Sequence, residues 1–160
     1  MSKNWLAASG RNGRLTAARL LTGEDLVEGI LDVIRASGFK SGSVQVIGAM
    51  SKVAVLYPKD TVWKENPGEV RGIAEVEGPI QIGSALGVFG TSDDGRVVMH
   101  IHGTFTGKGG RTICGDPVPG ASPVWLTADV VIQEFEGINM KPVFDEELDH
   151  EFFHPESHGD

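Results

Sequence analysis

The sequence predicts an α+β domain with a largely antiparallel β-sheet and a few packed helices. One segment alone combines helical spacing of apolar residues with clear start and stop signals, while many short segments are rich in β-branched residues. The 160 residues also include 22 glycines and 8 prolines, which favours short strands joined by tight turns. One helix among many short strands is typical of an α+β domain.

The predicted helix follows a first strand near the N-terminus. Residues 1–13 are small and polar and are expected to form a flexible arm, and residues 14–21 can form the strand. We predict Thr22 as the helix N-cap, with Asp25 at the third helical position, and Gly38 as the residue that ends the helix. The apolar stripe expected to be buried consists of Leu26, Ile30, Val33 and Ile34.

Turn signals divide the remaining chain into strands. Residues 48–51 form a small-residue bend where the backbone must pass close to another group, and Gly78-Pro79 interrupts a second long segment. Residues 60–68 are predicted as a loop and residues 92–95 as a turn. The predicted strands cover residues 43–50, 52–57, 69–77, 80–90, 96–106 and 123–135.

A single domain is expected over residues 14–136, because the sequence contains no repeat and no low-complexity tract. Residues 137–160 form an acidic C-terminal tail. Because this tail lacks periodicity, we expect it to be mobile or wrapped on a neighbouring molecule.

Composition limits the partners and the location of the protein. A formal net charge of −8 repels a phosphate polyanion, so nucleic-acid binding is disfavoured on electrostatic grounds. Cys114 is the single cysteine, which rules out an intramolecular disulfide and favours a reducing compartment. No apolar run reaches the roughly 18 residues of a membrane span, and the N-terminus lacks the apolar core of a signal peptide. We therefore expect a cytoplasmic protein with no membrane partner.

The strongest chemical signal is the pair His100 and His102 in an alternating segment. On a strand these two imidazoles share one face, while Ile101 and Phe105 point to the opposite, apolar face. A glycine-rich reversal follows, and Asp116 lies about as far beyond it as the histidines lie before it. A hairpin would therefore bring a carboxylate to the imidazoles. His100, His102 and Asp116 are our candidate metal ligands.

Simpler interpretations of these residues remain open. The histidines could be only a polar strand face, and Asp116 only a turn residue. The segment Gly107-Lys108-Gly109-Gly110-Arg111 lacks the spacing of a phosphate-binding loop and is predicted as a turn. Cys114 could be a nucleophile activated by a histidine, although a small buried side chain is the commoner role. A second metal site in the tail is not favoured, because Pro155 and Gly159 weaken any helix that would align His150, His154 and His158.

Short motifs occur in a characteristic order between residues 14 and 135. They are Arg19-Leu20, Gly23-Glu24-Asp25-Leu26, Ile47-Gly48, Gly78-Pro79-Ile80-Gln81-Ile82, Leu86-Gly87, His100-Ile101-His102-Gly103, Gly110-Arg111, Cys114-Gly115-Asp116, Pro119-Gly120 and Thr127-Ala128-Asp129-Val130-Val131-Ile132. This ordered set resembles the plants-and-prokaryotes-conserved (PPC) domain, in its stand-alone prokaryotic form. The resemblance implies a homotrimer with an antiparallel sheet.

Departures from the family pattern bear on function. Plant members carry Arg-Gly-Arg-Pro elements that bind A·T-rich minor grooves, and this chain has no such element. Where the family commonly has Gly-Gly-His-Leu, this chain has Cys114-Gly115-Asp116-Pro117, so the family's third histidine corresponds to Asp116. Gln81 replaces the usual glutamate. If relatives hold a metal with three histidines, this chain would offer two histidines and an aspartate, a set that Zn, Fe or Mn can accept.

Three functional hypotheses follow. The first is a trimeric regulatory or binding module that holds a divalent metal or a small anionic ligand near subunit boundaries. The second is a metal-dependent hydrolase or lyase with the same ligands and with Glu24 or Asp25 as acid or base. The third is DNA binding, which rests on family analogy and is opposed by the charge.

Overall fold

The computed structural model describes residues 4–59, 71–146 and 150–157. The α+β class with a mostly antiparallel sheet is confirmed, but within these residues one α-helix and a short 3-10 turn replace the expected few helices. The loop predicted over residues 60–68 lies outside the described residues. The elements are β1 (Arg11–Leu21), α1 (Leu26–Ser37), β2 (Gly42–Pro58), β3 (Arg71–Thr91), β4 (Val97–Thr106), β5 (Thr112–Pro117), β6 (Val124–Glu136), β7 (Ile138–Asp145) and β8 (His150–Ser157).

The main sheet has six antiparallel strands in the order β1-β6-β2-β3-β4-β5. Its last strand also pairs with the far end of β2, where Leu56 lies opposite Asp116 and Val55 opposite Pro117. This pairing closes β2, β3, β4 and β5 into a ring. The strand that carries Asp116 is therefore held from two sides, by β4 and by β2.

The helix begins three residues later than predicted, because Asp25 and not Thr22 is its N-cap. The Asp25 carboxylate accepts hydrogen bonds from the backbone N–H groups of Val27 and Glu28 at 3.0 and 3.1 Å. Thr22 instead donates its hydroxyl to the carbonyl of Leu126. The predicted end is confirmed, since Gly38 adopts a left-handed conformation with φ of 70° after the last helical residue.

Two pairs of predicted strands are continuous strands in the structure. β2 runs through the bend at residues 48–51, and β3 runs through Gly78-Pro79. Register shifts near Gly48 and Met50 absorb the irregularity, so the pairing of β2 with β3 resumes beyond it. The predicted close approach is real at Gly48, where an added Cβ would lie 2.5 Å from the carbonyl oxygen of Thr127.

The core lies between α1 and the inner face of the sheet. Leu26, Ile30 and Ile34 of the predicted helical stripe are fully buried, while Val33 is only partly buried. Phe89 of β3 and Phe105 of β4 are the largest buried side chains. Each such apolar side chain contributes about 1.5–3 kcal/mol when it leaves water, so this layer fixes the position of β4.

The expectation of a mobile or wrapped tail is wrong for residues 138–146 and 150–157, which include a two-stranded hairpin, β7–β8, that packs on its own chain. We call β7 and β8 the C-terminal hairpin. Asn139 docks it, because its buried side-chain amide donates to the carbonyl of Thr91 at 2.9 Å and accepts from the Thr91 N–H at 3.1 Å. The ion pair of Lys141 with Asp93 adds a second attachment. These contacts join residues that are far apart in the sequence, so no local periodicity of the tail could predict them.

None of the helices in the described segments is long and apolar enough to cross a membrane.

Candidate metal centre

Alternation along β4 places His100 and His102 on the outer face of the sheet, as the sequence predicts. The intervening Ile101 and the later Phe105 are buried, with 4% and 1% of their surfaces exposed. Burial of the apolar face thus fixes the orientation of the strand, because a one-residue slip would expose both apolar side chains. The two imidazoles are consequently presented to solvent on the same side.

The predicted hairpin brings Asp116 to the histidines. A reversal at Lys108–Gly110 joins β4 to β5, and Gly103 pairs with Gly115, one residue from His102 and Asp116. Gly115 leaves no room for a side chain, since an added Cβ would lie 2.2 Å from the carbonyl oxygen of Leu56. A glycine there lets β5 lie close to β2, and this packing holds Asp116 in place.

Three electron-pair donors converge at this point. Nε2 of His102 lies 2.8 Å from Nε2 of His100 and 2.9 Å from Oδ1 of Asp116, and the ligand atoms all lie within 4.8 Å of one another. A neutral His102 has either one proton or one lone pair at Nε2. Where Nε2 carries the proton, that single proton would have to be shared between His100 Nε2 and Asp116 Oδ1. A cation would instead accept an electron pair from each of the three residues.

The surroundings of His100 favour the neutral form of its imidazole, because they lower its pKa. Burial lowers the pKa of His100, and the nearby His102 and Arg71 lower it further, while Asp116 opposes the shift. The ring also stacks on Phe153, with centroids 6.5 Å apart. Since a histidine ligates a metal only in its neutral form, a lowered pKa favours ligation at neutral pH.

Two cavities meet at the histidine pair. The larger, of about 760 Å³, lies beneath the C-terminal hairpin, and the smaller, of about 490 Å³, lies on the outer face between β3 and β4. His100, His102 and Cys114 line both cavities. A ligand could therefore approach the donor cluster from either side.

The larger cavity contains residues that the sequence analysis missed as site residues. Arg71, from the start of β3, places Nη2 2.9 Å from Nε2 of His150. Burial and the charge of Arg71 lower the pKa of His150. Phe152 and Phe153 add an aromatic wall from the same hairpin. The only sequence signal for these residues was an unexplained histidine beside two aromatic residues in an acidic tail.

Several other candidates are resolved by the structure. Both Asp25 oxygens are occupied, because Oδ2 accepts from the backbone N–H of Ser122 at 2.9 Å in addition to the capping bonds on Oδ1. Asp25 is therefore a structural residue rather than an acid or base. The Gly107–Arg111 segment is a turn, as predicted, with Gly109 at φ of 73°. Cys114 is exposed rather than buried, and its Sγ lies 4.0 Å from the Thr104 hydroxyl.

The tail histidines do not form a second metal cluster in the described residues. His150 and His154 lie on β8, a strand rather than a helix, and His158 lies outside the described residues. Among those residues, His100, His102 and Asp116 are the one group of three or more histidine, cysteine or carboxylate side chains that lie close enough together to hold a metal ion.

The donor cluster lies at the end of a row of outward residues that crosses the sheet. Cross-strand partners connect Val131 of β6 to Gln45 of β2, Gln45 to Leu86 of β3, and Leu86 to His102. Leu86 and Val131 are exposed. We call the outward side of β1, β6, β2, β3 and β4 the outer face. It carries exposed apolar side chains and ends at the histidines.

These features define a class: a mainly antiparallel α+β domain with a His-x-His strand and a facing carboxylate. A family model for the Plants and Prokaryotes Conserved domain, abbreviated PCC or PPC, matches residues 7–136. The chain belongs to this family. The match confirms the resemblance found from the sequence motifs. No functionally curated protein matches the sequence.

Solved structures share the fold at low sequence identity. A metal-containing protein from Archaeoglobus fulgidus is 23% identical with a TM-score of 0.76, and the alignment covers 91% of this chain and 96% of that one. A PPC protein from Pyrococcus horikoshii is 18% identical with a TM-score of 0.73, covering 95% and 96%. A candidate DNA-binding protein from Bacteroides thetaiotaomicron is 13% identical with a TM-score of 0.73, covering 90% and 96%.

Proposed function

We propose that this protein is a stand-alone PPC-domain module that binds one divalent metal ion through His100, His102 and Asp116. The observation that carries the proposal is the convergence of two imidazole nitrogens and a carboxylate oxygen within 4.8 Å. The metal-containing protein from Archaeoglobus fulgidus that shares this fold supports it. Asp116 would take the role that a third histidine has in the common family pattern.

The donor set fits Zn, Fe or Mn. Two imidazoles and one carboxylate are borderline and hard ligands, and they leave further coordination positions open. A bound ion would supply a positive centre that attracts an anionic or oxygen-donor ligand. The two cavities that meet at the histidine pair give such a ligand room.

The lining of the larger cavity favours a binding module over a hydrolase or lyase. Besides Asp116, the one carboxylate among its described lining residues is Glu151. Glu151 lies 2.9 Å from the guanidinium of Arg96 in an ion pair, so this carboxylate is already engaged by another side chain. Of the two acid or base candidates from the sequence, Glu24 and Asp25, neither lines this cavity, and Asp25 caps the helix.

Elemental analysis of tag-free protein tests the metal proposal. Wild type is expected to contain Zn, Fe or Mn at close to one ion per chain, and His102→Ala is expected to lose it, because two donors rarely retain a divalent ion. His154→Ala is the matched control, since His154 lies on β8 outside the donor cluster and should leave the metal content unchanged. Equal metal content in wild type and His102→Ala, or none in either, would contradict the proposal.

We further propose that the protein assembles as a homotrimer through the outer face. Support comes from the apolar side chains exposed there, since monomers rarely expose large contiguous apolar patches. These side chains are Leu15, Leu21, Ile47, Leu86, Trp125 and Val131. Because the row of outward residues ends at His102, burial of this face would place the metal centre near a subunit boundary.

DNA binding is the least supported hypothesis for this chain. Relatives from Bacteroides thetaiotaomicron and Ralstonia eutropha are named as candidate DNA-binding proteins. The net charge of −8 opposes binding to a phosphate backbone. A gel shift at low salt that disappears steeply as salt rises would support this role instead.

A further inference from the structure

The C-terminal hairpin brings an aromatic side chain to the metal donors. Phe153 of β8 lines the larger cavity together with His100, His102 and Asp116. The hairpin lies outside residues 7–136, which the family model matches. Its two strands pair with each other in a sheet of their own, separate from the main sheet. Side-chain contacts therefore connect β8 to the donor cluster.

The contact with the donor cluster is a stack of two rings. The imidazole of His100 and the ring of Phe153 have centroids 6.5 Å apart, and their planes differ by 17°. This separation lies within the range of about 4.5–7 Å that is typical of offset-stacked aromatic pairs. The contact therefore holds the imidazole nearly parallel to the phenyl ring.

The stack replaces the hydrogen bond that usually orients a metal-binding histidine. Such a histidine generally donates from its second ring nitrogen to a carboxylate or a carbonyl. In the segments that the structure describes, the hydrogen bond of the His100 ring joins its Nε2 to Nε2 of His102, and Nδ1 has no protein partner there. The terminal torsion of a histidine side chain has only a broad preference of its own. The neighbouring Phe153 ring is therefore the contact that limits rotation of this imidazole.

Contacts away from the metal donors hold the hairpin in place. The buried Ser41 hydroxyl accepts the backbone N–H of Met140 at 2.9 Å. Two residues before Phe153, the carboxylate of Glu151 pairs with the Arg96 guanidinium. Because these attachments do not involve the donors, they give the Phe153 ring a base that is independent of the metal.

We propose that Phe153 is a positioning residue for the metal ligand His100, and that docking of the C-terminal hairpin is thereby coupled to metal binding. The inference rests on the proposed metal centre and adds a supporting residue from outside the family-matched segment. An imidazole already held in one plane loses less rotational freedom when it binds an ion. Coupling is reciprocal, so the bound metal favours the docked hairpin by the same factor.

Zinc titration of the metal-free protein, in competition with a chelating dye, tests the positioning role. Phe153→Ala should weaken zinc binding about tenfold, as is typical when a residue that orients a ligand is lost. Phe153→Tyr keeps the flat ring and should bind zinc within about threefold of wild type, whereas Phe153→Leu keeps the bulk without the ring plane and should resemble Phe153→Ala. Phe144→Ala removes an exposed ring from β7 and is the matched control, with unchanged affinity.

Hydrogen exchange of the β8 amides measures the reciprocal effect. Zinc should slow their exchange about tenfold in wild type and leave it unchanged in Phe153→Ala. A residue that only held the hairpin down would change the exchange equally with and without zinc. The amides of β6 should stay protected in both proteins, which shows that the variant is folded.

The zinc stoichiometry of wild type separates this inference from the proposed function. Absence of zinc binding overturns both. One zinc per chain overturns this inference alone if Phe153→Ala binds as tightly as wild type, or if Phe153→Tyr loses as much affinity as Phe153→Ala. The same holds if zinc slows β8 exchange equally in wild type and in Phe153→Ala.

Discussion

At the scale of single residues, Asp25 links the helix to the rest of the fold. One carboxylate oxygen caps α1 and the other accepts the backbone N–H of Ser122, 97 residues later. Asp25→Ala should lower the free energy of unfolding by about 1–2 kcal/mol for the cap, and more if the Ser122 N–H stays unpaired. Denaturant titration measures this difference.

Thr22→Ala is the control for that substitution. Thr22 makes one exposed hydrogen bond to the carbonyl of Leu126, so its removal should change the free energy of unfolding by only about 0.5 kcal/mol. If Thr22→Ala costs as much as Asp25→Ala, the assignment of Asp25 as the N-cap is wrong.

Glu134 makes stability depend on pH. The Arg14 side chain donates to it through Nε and Nη2 at 2.8 and 2.7 Å, and these hydrogen bonds lower the pKa of Glu134. A carboxyl whose pKa is lowered by folding stabilises the native state above its ordinary pKa, and this contribution is lost as the pH falls through the lowered value.

Glu134→Gln tests this linkage. The variant should be less stable than wild type near about pH 7, and the difference should shrink as the pH falls below about 4. Thermal unfolding of both proteins across this range measures the difference. A gap between the two proteins that is constant with pH would mean that the ion pair does not contribute.

The donor cluster could be predicted from sequence because its geometry is local. Two residues spaced by two on a strand share a face whatever the rest of the fold does, and a short reversal brings back a residue at matching distance. No local spacing rule of this kind relates Arg71 to His150. They meet because β3 begins where the C-terminal hairpin folds back, and this contact depends on tertiary packing.

At the scale of elements, the two longest strands show where local signals are insufficient. Small residues at 48–51 and Gly78-Pro79 are typical of turns, yet both lie within continuous strands. The neighbouring strand decides the outcome, because each segment has a pairing partner on both sides of the irregularity. The β-branched runs and the helix were predictable, since their apolar periodicity matches the burial that they undergo.

The docking of the C-terminal hairpin depends on Asn139. Its side chain is 5% exposed and satisfies both backbone groups of Thr91. Asn139→Ala would leave these groups without that partner, which should cost about 1–3 kcal/mol. The hairpin should then open more often, and hydrogen exchange of its amides should accelerate while the amides of β2 and β6 stay protected.

Glu156→Gln serves as the control on the same hairpin. The Glu156 carboxylate lies 3.9 Å from Lys141 and is exposed, so its loss should change stability by less than about 1 kcal/mol. Uniform exchange acceleration throughout the Asn139→Ala chain would show that the hairpin is not a separate opening unit.

At the scale of the whole molecule, the net charge of −8 and the apolar outer face favour a protein partner over nucleic acid. Arg19 and Asp129 pair with each other on that face at 2.7 Å, so it offers no unbalanced positive charge at this pair. A surface of paired charges among exposed apolar side chains suits contact with another protein surface.

The trimer prediction concerns the same outer face. Ile47 is 59% exposed beside the Arg19–Asp129 pair, and a charge at that position would be buried in the proposed interface without a partner. Light scattering of wild type should give about three times the chain mass of 17.1 kDa, and Ile47→Glu should shift the mass toward a single chain. Phe144→Glu, a similarly exposed substitution on the C-terminal hairpin, should leave the wild-type mass unchanged. Wild type at the mass of one chain would refute the trimer, and a trimer insensitive to Ile47→Glu would assign the interface to another surface.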